Sequence, residues 1–590
     1  MKKIINRPED VVREMCQGII LAHPELVLDA KYKVIRKKII NTNKVSLISG
    51  GGSGHEPAHA GYIGQGMLDA AVCGDVFASP SQIQVYQAIR GAASDKGVLL
   101  IIKNYSGDIM NFKNAAYMAQ EDGINVDYVK VDDDIAVKDS LYTVGRRGVA
   151  GTVFVHKIAG AAAEQGKDLP EVKRIAQKVI DHVKSIGFAL TSCTVPAKGS
   201  PTFQLDENEM EYGVGIHGEP GIQRIQVLKA AELAARMVQS LISELHLKEP
   251  ARDNRVALLV NGFGATPLME LYLLNTSARK ELADKGITVV RTFVGNYMTS
   301  IDMAGASVSM LLLDDETEAL LNEPSKAPAF MVDGPVAAVD YFEPYEVDSD
   351  IKEDSFIIET PAANAVVGKE ISLGNMIYIV DVMADSIIRN EVPFCELDSH
   401  AGDGDFGMSI AKGFKQLKRE WESIVTGKDL DIGTFLNSCS MIIMEHCGGA
   451  SGPIWGSAFR AAGRSTNGKQ SLTIQDFADM LQATVKGIQT TGERSFGRGA
   501  GIGDKTLMDA LIPCADQWSK LAKDETYVLK AFSLGAAAAV DGAKTTEAIV
   551  ARMGRAGTVG ERSIGYPDAG AYALGIIFTD ICNTLISDKK

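Results

Sequence analysis

The stretch GGGSGHEPAHAG, residues 50–61, places two histidines among glycines and could support three kinds of chemistry. A zinc site of the His-Glu-x-x-His type needs both histidines on one helical face. Pro57 favours a helix that begins near Pro57 itself, which would leave His55 in the preceding loop and His59 in the first turn. The sequence therefore argues against a zinc protease, and it contains no C-x-x-C pair that would support another zinc site.

A phosphate-binding loop is the second possibility for this stretch. The lysine of the P-loop pattern is absent, and Pro57 occupies the place of the third glycine of the dinucleotide pattern. What remains is a glycine loop after the apolar run Val45–Ile48, which lets a small ligand approach the backbone closely and places His55 at its edge. The alternative is a tight turn between a strand and a helix, with a solvated histidine.

Three carboxylates cluster in LDSHAGDGDFG, at Asp398, Asp403 and Asp405. Carboxylates this close repel one another unless a cation binds them. An EF-hand loop counted from Asp403 would have Gly407 and Phe414 at ligand positions, which excludes calcium-loop geometry. The pattern favours Mg2+ shared with substrate phosphates over an acidic surface turn.

Three further segments of the second half, CGGASGPIWG, GDKTLMDAL and GRAGTVGERSIGYPDAGA, carry glycines with polar or cationic residues next to predicted helices. Exposed N–H groups and a serine hydroxyl at a helix start can hold phosphate oxygens. Together with the three acids, these loops would give one end of a helical domain the groups that a Mg-nucleotide site requires. The predicted nucleotide-binding residues are Gly448, Gly449, Ala450, Ser451, Gly452, Gly503, Asp504, Lys505, Thr506, Arg555, Asp568 and Gly570.

The elements that would position these residues differ between the two halves. In the first half, short β-branched runs such as KVSLISGGGSG and RVALLVNGFGATP alternate with glycine loops and amphipathic helices. This pattern indicates an α/β fold. Ligands of open α/β sheets bind beyond the carboxyl ends of the strands, where Gly50–His55 and Asn104–Asp108 would both lie.

The composition of the sequence changes at residues 333–365. These residues are rich in prolines and acids and lack a sustained hydrophobic periodicity. We interpret them as a linker, partly strand-like at Phe356–Ile358, between domains at 1–332 and 366–590. Helical periodicity dominates the second domain, and Thr473 with Asp476 predicts the start of one of its helices. An all-helical domain is therefore expected there.

Composition limits the function classes. A chain of 590 residues, 46% hydrophobic, is long enough for two or three domains. A formal charge of -15 and the lack of a basic stripe argue against a nucleic-acid partner, and phosphate handling would need cations. Eight scattered cysteines suit a reducing cytoplasm, and the sequence has neither a signal-peptide pattern nor an apolar run of the ~20 residues that a membrane span needs. We expect a cytoplasmic protein.

In their order along the chain, these motifs resemble the single-chain dihydroxyacetone kinase family. The first half contributes GGGSGHEP, NYSGDIMNF and GIHGEPG, and the second contributes LDSHAGDGDFG, GGASGPIWG, GDKTLMDALIP and DAGA. The match extends over nearly all 590 residues. The resemblance implies a ketose-binding domain of two α/β lobes, an eight-helix barrel that binds ATP and two Mg2+ through the three acids, and a homodimer in which the barrel docks over the ketose pocket.

The resemblance also implies roles for residues of the first domain. His217 would hold the substrate carbonyl covalently as a hemiaminal, which selects carbonyl sugars over glycerol because glycerol has no electrophilic carbon. Asp108 would be the general base, and His55 a hydrogen-bond partner or proton relay. The remaining predicted pocket residues are Gly52, Ser53 and Lys103, whereas His59 is interpreted as structural.

The leading hypothesis is thus an ATP-dependent kinase of dihydroxyacetone, with glyceraldehyde and erythrulose as alternative substrates. A phosphocarrier-dependent phosphotransferase is a second possibility, although fusion of both domains argues for free ATP. A third is a lyase that splits FAD to a cyclic flavin phosphate at the same nucleotide site. A ketose sensor without catalysis would be expected to lose its metal ligands, and all three acids are present here.

Overall fold

The computed structural model describes residues 2–137, 145–247, 254–343, 360–427, 429–523, 527–553, 557 and 560–587. The chain divides into two compact units, Met1–Glu346 and Val347–Lys590. The segment Phe356–Ile358, predicted to be partly strand-like, lies outside the described residues, as does Arg555. None of the described helices combines the length and apolar character that a membrane span requires.

The first unit alternates helices and strands. Its helices are α1 (Val11–Ala22), α2 (Gln82–Ala92), α3 (Ser106–Glu121), α4 (Thr152–Glu164), α5 (Leu169–His182), α6 (Ala230–Glu244), α7 (Leu268–Asp284) and α8 (Asp315–Asn322). Its strands are β1 (Leu26–Asp29), β2 (Val34–Lys37), β3 (Ser46–Ser53), β4 (Ala70–Val76), β5 (Val98–Lys103), β6 (Val126–Val131), β7 (Val183–Ala189), β8 (Glu209–Tyr212), β9 (Gln223–Gln226), β10 (Arg255–Gly262), β11 (Thr288–Gly295), β12 (Gly305–Leu313), β13 (Ser325–Ala327) and β14 (Phe330–Val332).

Two six-stranded sheets form the two predicted α/β lobes. The first has the order β1-β2-β4-β3-β5-β6, and its strands β4, β3, β5 and β6 are parallel. Every residue of β3 and β5 is buried, which explains their continuous apolar runs. The second has the order β11-β10-β12-β7-β8-β9, in which the β10–β11 pair is parallel and the other pairs are antiparallel.

Helix α4 belongs to the largest core of the first unit and is buried from Thr152 to Ala163. Its sequence, TVFVHKIAGAAAE, has no polar face because it contacts α5, α8, β3 and β5. The two polar side chains in the middle of this helix have hydrogen-bond partners. Lys157 donates to the Leu320 carbonyl oxygen at 2.9 Å, and His156 pairs with His59.

The second unit is helical in its described part. Its helices are α9 (Leu373–Arg389), α10 (Glu391–Asp398), α11 (Phe406–Arg419), α12 (Trp421–Val425), α13 (Ile432–His446), α14 (Ser451–Ser465), α15 (Ile474–Phe496), α16 (Met508–Leu521), α17 (Val528–Thr545) and α18 (Ala569–Thr584). Its short strands are β15 (Val366–Val367), β16 (Ile371–Ser372), β17 (Ser471–Leu472) and β18 (Ile586–Ser587).

The longer helices of this unit form a closed ring. Each helix of the series α9, α11, α13, α14, α15, α16, α17 and α18 contacts the next, and α18 contacts α9. An apolar cavity of about 120 Å³ lies inside the ring, lined by side chains such as Met383, Trp455 and Trp518. Thr473 caps α15 together with Asp476, as predicted. The predicted fold class, an α/β domain of two lobes followed by an eight-helix barrel, is confirmed.

The region after Pro57 differs from the prediction of a helix. A short 3-10 turn covers Ala60–Tyr62, and His59 precedes it. The physical reason is tertiary: the side chain of His59 is buried and paired with His156 of α4, so the backbone turns toward the core instead of continuing as a helix on the surface.

Candidate active site

Two imidazoles from different lobes meet in the first unit. His55 follows β3 of the first sheet, and His217 lies in the loop between β8 and β9 of the second. Their Nε2 atoms are 3.2 Å apart, and the rings are nearly perpendicular, at 87°. Burial lowers the pKa of His55 well below 6.5, with further lowering by the Lys103 ammonium. Burial, Lys103 and Arg147 lower the pKa of His217 in the same way.

The hydrogen bonds of His55 fix its tautomer. Its Nδ1 atom lies 2.9 Å from the carbonyl oxygen of Thr299, which can only accept. Nδ1 therefore carries the proton, and Nε2 of the neutral ring is an acceptor that faces His217. Backbone bonds reinforce this contact, since the Thr299 N–H donates to the carbonyl oxygen of His55 at 3.1 Å.

The loops that carry His55 and His217 each contain a Glu-Pro pair, and its glutamate accepts a hydrogen bond from the backbone of the same loop. Glu56 accepts from the Gly54 N–H at 3.0 Å, and Glu219 accepts from the His217 N–H at 3.0 Å. Arg147, which is 1% exposed, donates to Glu219 at 2.9 Å. Side chains pack so closely around Gly215 that an added Cβ would lie 1.9 Å from Glu219 Oε1 and 2.6 Å from an Arg147 nitrogen. The glycines of GIHGEPG thus allow a buried ion pair to hold the backbone of His217.

Lys103 is the last residue of β5 and Asp108 lies in the first turn of α3, at the carboxyl edge predicted to hold the ligand. Both side chains are buried, at 0% and 3% exposure. Burial raises the pKa of Asp108 and lowers that of Lys103, and the attraction between the two opposes both shifts. Gly50–Gly52, predicted to form a loop, instead belong to the end of β3, where the strand pairs with β4. An added Cβ on Gly51 would lie 2.9 Å from Lys103 Nζ and 3.4 Å from Asp108 Oδ2, so this end of β3 lies directly against both groups.

Several polar atoms around the two imidazoles are buried without a hydrogen-bond partner among the described residues. They are Lys103 Nζ, Tyr105 Oη, Asp108 Oδ1 and His217 Nδ1. An unpaired polar group costs free energy when buried, and more so when charged. These four groups suit a small ligand that carries hydroxyl and carbonyl oxygens.

Gly52 and Ser53 lie at the end of β3, next to Gly51, and the Ser53 hydroxyl is already used within the protein. Ser53 is buried and donates its hydroxyl to the Gly74 carbonyl oxygen at 2.7 Å. A Cβ on Gly52 would lie 2.7 Å from the Ala78 nitrogen. Both residues also line a cavity of about 10 Å³, which has room for about one water molecule. That Gly52 and Ser53 line the substrate pocket stays a prediction.

The aromatic side chains around His217 were not predicted from the sequence. The Tyr105 ring meets it edge-on with centroids 4.4 Å apart, and Phe77 lies 5.4 Å away. Phe77 also stacks on His55, at 5.2 Å and 19°. Tyr105 belongs to the quoted motif NYSGDIMNF, so a signal was present, whereas Phe77 and Thr299 come close only through the fold.

His59, interpreted as structural, is part of a second buried pair of histidines. Its Nδ1 atom lies 3.0 Å from His156 Nε2 and 3.4 Å from the Ser49 hydroxyl. Burial lowers the pKa of His156 to about 3, and that of His59 falls well below 6.5. Both rings are therefore neutral at ordinary pH.

The three predicted metal ligands converge in the second unit. Each of Asp398, Asp403 and Asp405 offers a carboxylate oxygen, and these oxygens lie within 4.8 Å of one another. A Cβ on Gly402 would lie 2.2 Å from Asp398 Oδ1, and Asp398 Oδ2 accepts from the Gly404 N–H at 2.9 Å. The hard oxygen donors and their spacing fit Mg2+.

A cavity of about 170 Å³ adjoins this cluster. Residues from the N-terminal ends of α11, α14, α16 and α18 line it, so four helix dipoles direct partial positive charge toward it. The cavity brings together the predicted residues Asp398, Ala450, Ser451, Lys505, Thr506, Asp568 and Gly570. The described residues Gly448, Gly449, Gly452, Gly503 and Asp504 are not among its lining residues.

The charged side chains of the GDKT loop have partners within the protein. Asp504 accepts from Arg498 at 2.6 and 2.7 Å. The Lys505 ammonium contacts backbone carbonyl oxygens, and Asp509 accepts from the N–H groups of Gly503 and Thr506 at 2.6 and 2.8 Å. Burial raises the pKa of Asp568, which caps α18, to about 7.

Comparisons with known proteins find matches for both halves of the chain. A family model described as the Dak1 domain matches residues 17–329, and one described as the DAK2 domain matches residues 400–583. The dihydroxyacetone-binding subunit of PTS-dependent dihydroxyacetone kinase 1 from Listeria innocua is 51% identical over 54% of this chain and 95% of that protein. L-erythrulose 1-kinase from Mycolicibacterium smegmatis is 36% identical over 98% of each chain.

A solved structure matches along the whole length. It is the crystal structure of the dihydroxyacetone kinase from C. freundii in complex with AMP-PNP and Mg2+, with a TM-score of 0.60, 28% identity and 99% of both chains covered. The first family model alone spans more than half of this chain. The resemblance inferred from the motifs is confirmed, and the chain belongs to the dihydroxyacetone kinase family.

Proposed function

We propose that the protein is an ATP-dependent kinase of a short ketose, dihydroxyacetone or a four-carbon relative, and that it holds the ketose carbonyl on His217. The observation that carries this proposal is the cluster of His55 and His217 with the unpartnered atoms of Lys103, Asp108 and Tyr105. The relatives' names support the substrate class, because they include a dihydroxyacetone kinase and an L-erythrulose 1-kinase.

Substrate capture follows from the neutral imidazoles. A ring nitrogen of His217 adds to the carbonyl carbon, the C=O π bond breaks, and the oxygen becomes a hydroxyl. The imidazole loses one proton in this step, and the oxygen gains one. His55 is suited to carry that proton because its Nε2 atom is an acceptor that faces His217. Glycerol lacks the carbonyl carbon and cannot be held in this way.

Asp108 is the proposed general base for the hydroxyl that receives the phosphoryl group. Burial raises its pKa, which makes its carboxylate a better proton acceptor than an exposed one, and the neighbouring Lys103 opposes this rise by stabilising the ionised form. Lys103 also offers its ammonium to a substrate oxygen. The Tyr105 and Phe77 rings exclude water from the two imidazoles.

The second unit is proposed to bind the nucleotide. The N-terminal ends of α14 and α18, with the Ser451 hydroxyl, can hold phosphate oxygens. Asp398, Asp403 and Asp405 would hold Mg2+, which neutralises phosphate charge when bound. We also propose a homodimer, on the family resemblance, which sedimentation would test.

A coupled assay tests the proposal. ADP release is measured with Mg-ATP and each of dihydroxyacetone, glyceraldehyde, D-erythrulose, L-erythrulose and glycerol. We expect turnover with at least one carbonyl sugar and none with glycerol. Turnover with none of the sugars would refute the substrate class, and turnover only after addition of a phosphocarrier protein would refute the role of free ATP.

The covalent step has its own test. Dihydroxyacetone labelled with 13C at the carbonyl carbon should give a tetrahedral-carbon NMR signal when bound, and this signal should be absent with His217→Asn. A bound signal that remains in the trigonal range in the wild-type protein would refute the hemiaminal.

A further inference from the structure

Lys505 lies in the loop predicted to bind the nucleotide, and its ammonium is surrounded by backbone. It contacts the carbonyl oxygens of Thr546 at 2.6 Å, Ile549 at 3.2 Å, Ser563 at 2.5 Å and Tyr566 at 2.7 Å. An ammonium has three N–H donors, so four acceptors saturate it. The residue is 1% exposed.

The backbone of Lys505 is fixed as tightly as its side chain. Its φ of 59° lies in the left-handed region, which residues other than glycine adopt uncommonly. The carboxylate of Asp509 accepts from the N–H groups on either side of it, at Gly503 and Thr506. The side chain is therefore directed into the protein by a turn with its own internal hydrogen bonds.

The four carbonyls belong to the segment that joins α17 to α18. Thr546 begins this segment, and its hydroxyl accepts from the Asp568 N–H at 2.8 Å. Asp568 then caps α18 by accepting from the Ala571 N–H at 2.8 Å. One ammonium thus links the start of α16 to four described residues of the connection that leads into α18, and both helix starts line the 170 Å³ cavity.

We propose that Lys505 is a positioning residue of the nucleotide site, which holds the connection between α17 and α18 so that Asp568 and the N-terminus of α18 face the cavity, and that it does not contact the phosphates. This inference rests on the proposed nucleotide-binding function of the second unit. It departs from the expectation that Lys505 is itself a nucleotide ligand.

The affinities for AMP-PNP, ADP and AMP, measured by calorimetry with Mg2+, separate positioning from direct contact. Lys505→Met should weaken all three by the same factor, about 10- to 100-fold, because a displaced helix start affects every nucleotide. Lys505→Arg should not restore affinity, since a planar guanidinium cannot replace an ammonium among four carbonyls. The proposal would be overturned if Lys505→Met weakened the binding of AMP-PNP and ADP but not of AMP. Restored nucleotide affinity in Lys505→Arg would overturn it as well.

Two controls complete the design. Lys544→Met removes an exposed charge from the end of α17 and should leave the three affinities unchanged. Ketose affinity should be unchanged in every variant. If Lys505→Met lowered only the melting temperature and left nucleotide affinity intact, the role would be merely structural and the proposal would fail. Failure of the wild-type protein to bind Mg-AMP-PNP would instead refute the proposed function itself.

A measurement on the wild-type protein decides the question even if the variants do not fold. Acetylation with an amine-reactive reagent, followed by peptide mass spectrometry, should modify Lys544 and leave Lys505 unmodified, with or without Mg-AMP-PNP. Modification of Lys505 in the free protein together with protection by the nucleotide would identify it as a phosphate contact and overturn the proposal.

Discussion

His55 Nε2 and His217 Nε2 lie 3.2 Å apart, although 162 positions separate the two residues in the chain. One imidazole comes from each lobe, so the contact exists only when both sheets are assembled. Because Thr299 fixes the tautomer of His55, the proton between the two rings belongs to His217. The first unit therefore holds the proposed nucleophile, His217, in contact with its proposed proton acceptor, His55.

Replacement of Asp108 by asparagine tests the proposed general base. Asp108→Asn keeps the size of the side chain and removes its ability to accept a proton, so kcat should fall about 10²- to 10⁴-fold. The 13C signal of the bound ketose should persist, because His217 is unchanged. Steady-state kinetics and NMR measure the two effects. Glu121→Gln, an exposed change on the same helix α3, is the control and should leave kcat unchanged. Retention of kcat in Asp108→Asn would assign the base elsewhere.

Gly215→Ala tests whether the ion pair beneath His217 positions it. The new methyl group would lie 1.9 Å from Glu219 Oε1, so Glu219 and Arg147 must move and the backbone of His217 with them. We expect kcat/KM for the ketose to fall about 10²-fold, with KM for ATP unchanged. Gly18→Ala in α1 is the control, because nothing lies within 4 Å of the added methyl group. Equal kinetics in the two variants would show that the network does not orient His217.

The pair His59–His156 predicts a dependence of stability on pH. Burial lowers the folded-state pKa of His156 to about 3 from 6.5, so only the unfolded chain binds this proton between those values. The contribution of neutral His156 to the free energy of unfolding is therefore fully present above pH 6.5. It falls by about 1.4 kcal/mol per pH unit as the pH drops from 6.5 toward 3. His156→Gln should reduce this slope by that amount. Chemical unfolding at a series of pH values measures it, and an unchanged slope in the variant would contradict the prediction.

Asp403→Asn tests the metal cluster. Loss of one of three carboxylates should raise the Mg2+ concentration required for half-maximal activity by about 10- to 100-fold. Ketose binding, followed by the 13C signal, should not change. Glu422→Gln, an exposed acid on α12, serves as the control for a general effect of charge. A Mg2+ requirement that is the same in Asp403→Asn and in the wild type would exclude Asp403 as a ligand.

The residue patterns were sufficient to predict an α/β half, a helical half and the cluster of acids, whereas the two lobes and the eight-helix barrel were expected from the family resemblance. Period-2 and period-3.6 patterns separated the α/β half from the helical half, and Asp398, Asp403 and Asp405 are only a few residues apart, so local geometry largely determines their distance. Asn104–Asp108 could be placed at a sheet edge because ligands of open α/β sheets bind beyond the carboxyl ends of the strands, whereas Lys103 was expected in the pocket from the family resemblance.

The rest of the site depends on long-range contacts. Phe77 and Thr299 carry no local signal, since their contacts with His55 arise from the packing of separate strands and loops. The roles of Glu56 and Glu219 could have been predicted from the sequence, because the motifs of His55 and His217 both contain Glu-Pro. In the structure each glutamate accepts a backbone hydrogen bond from its own histidine loop. The predicted helix at Pro57 was wrong because burial of His59 outweighs the preference of proline for a first helical turn.

The ring of the second unit is closed by the contact between α9 and α18 and by the pairing of Val366 with Ile586. The first and last parts of this barrel in chain order are thus direct neighbours. During synthesis on the ribosome, α9 has no partner for the face that finally meets α18 until the last helix emerges. Chaperones that shield apolar helices should therefore bind nascent chains that stop short of α18 more strongly than chains that include it.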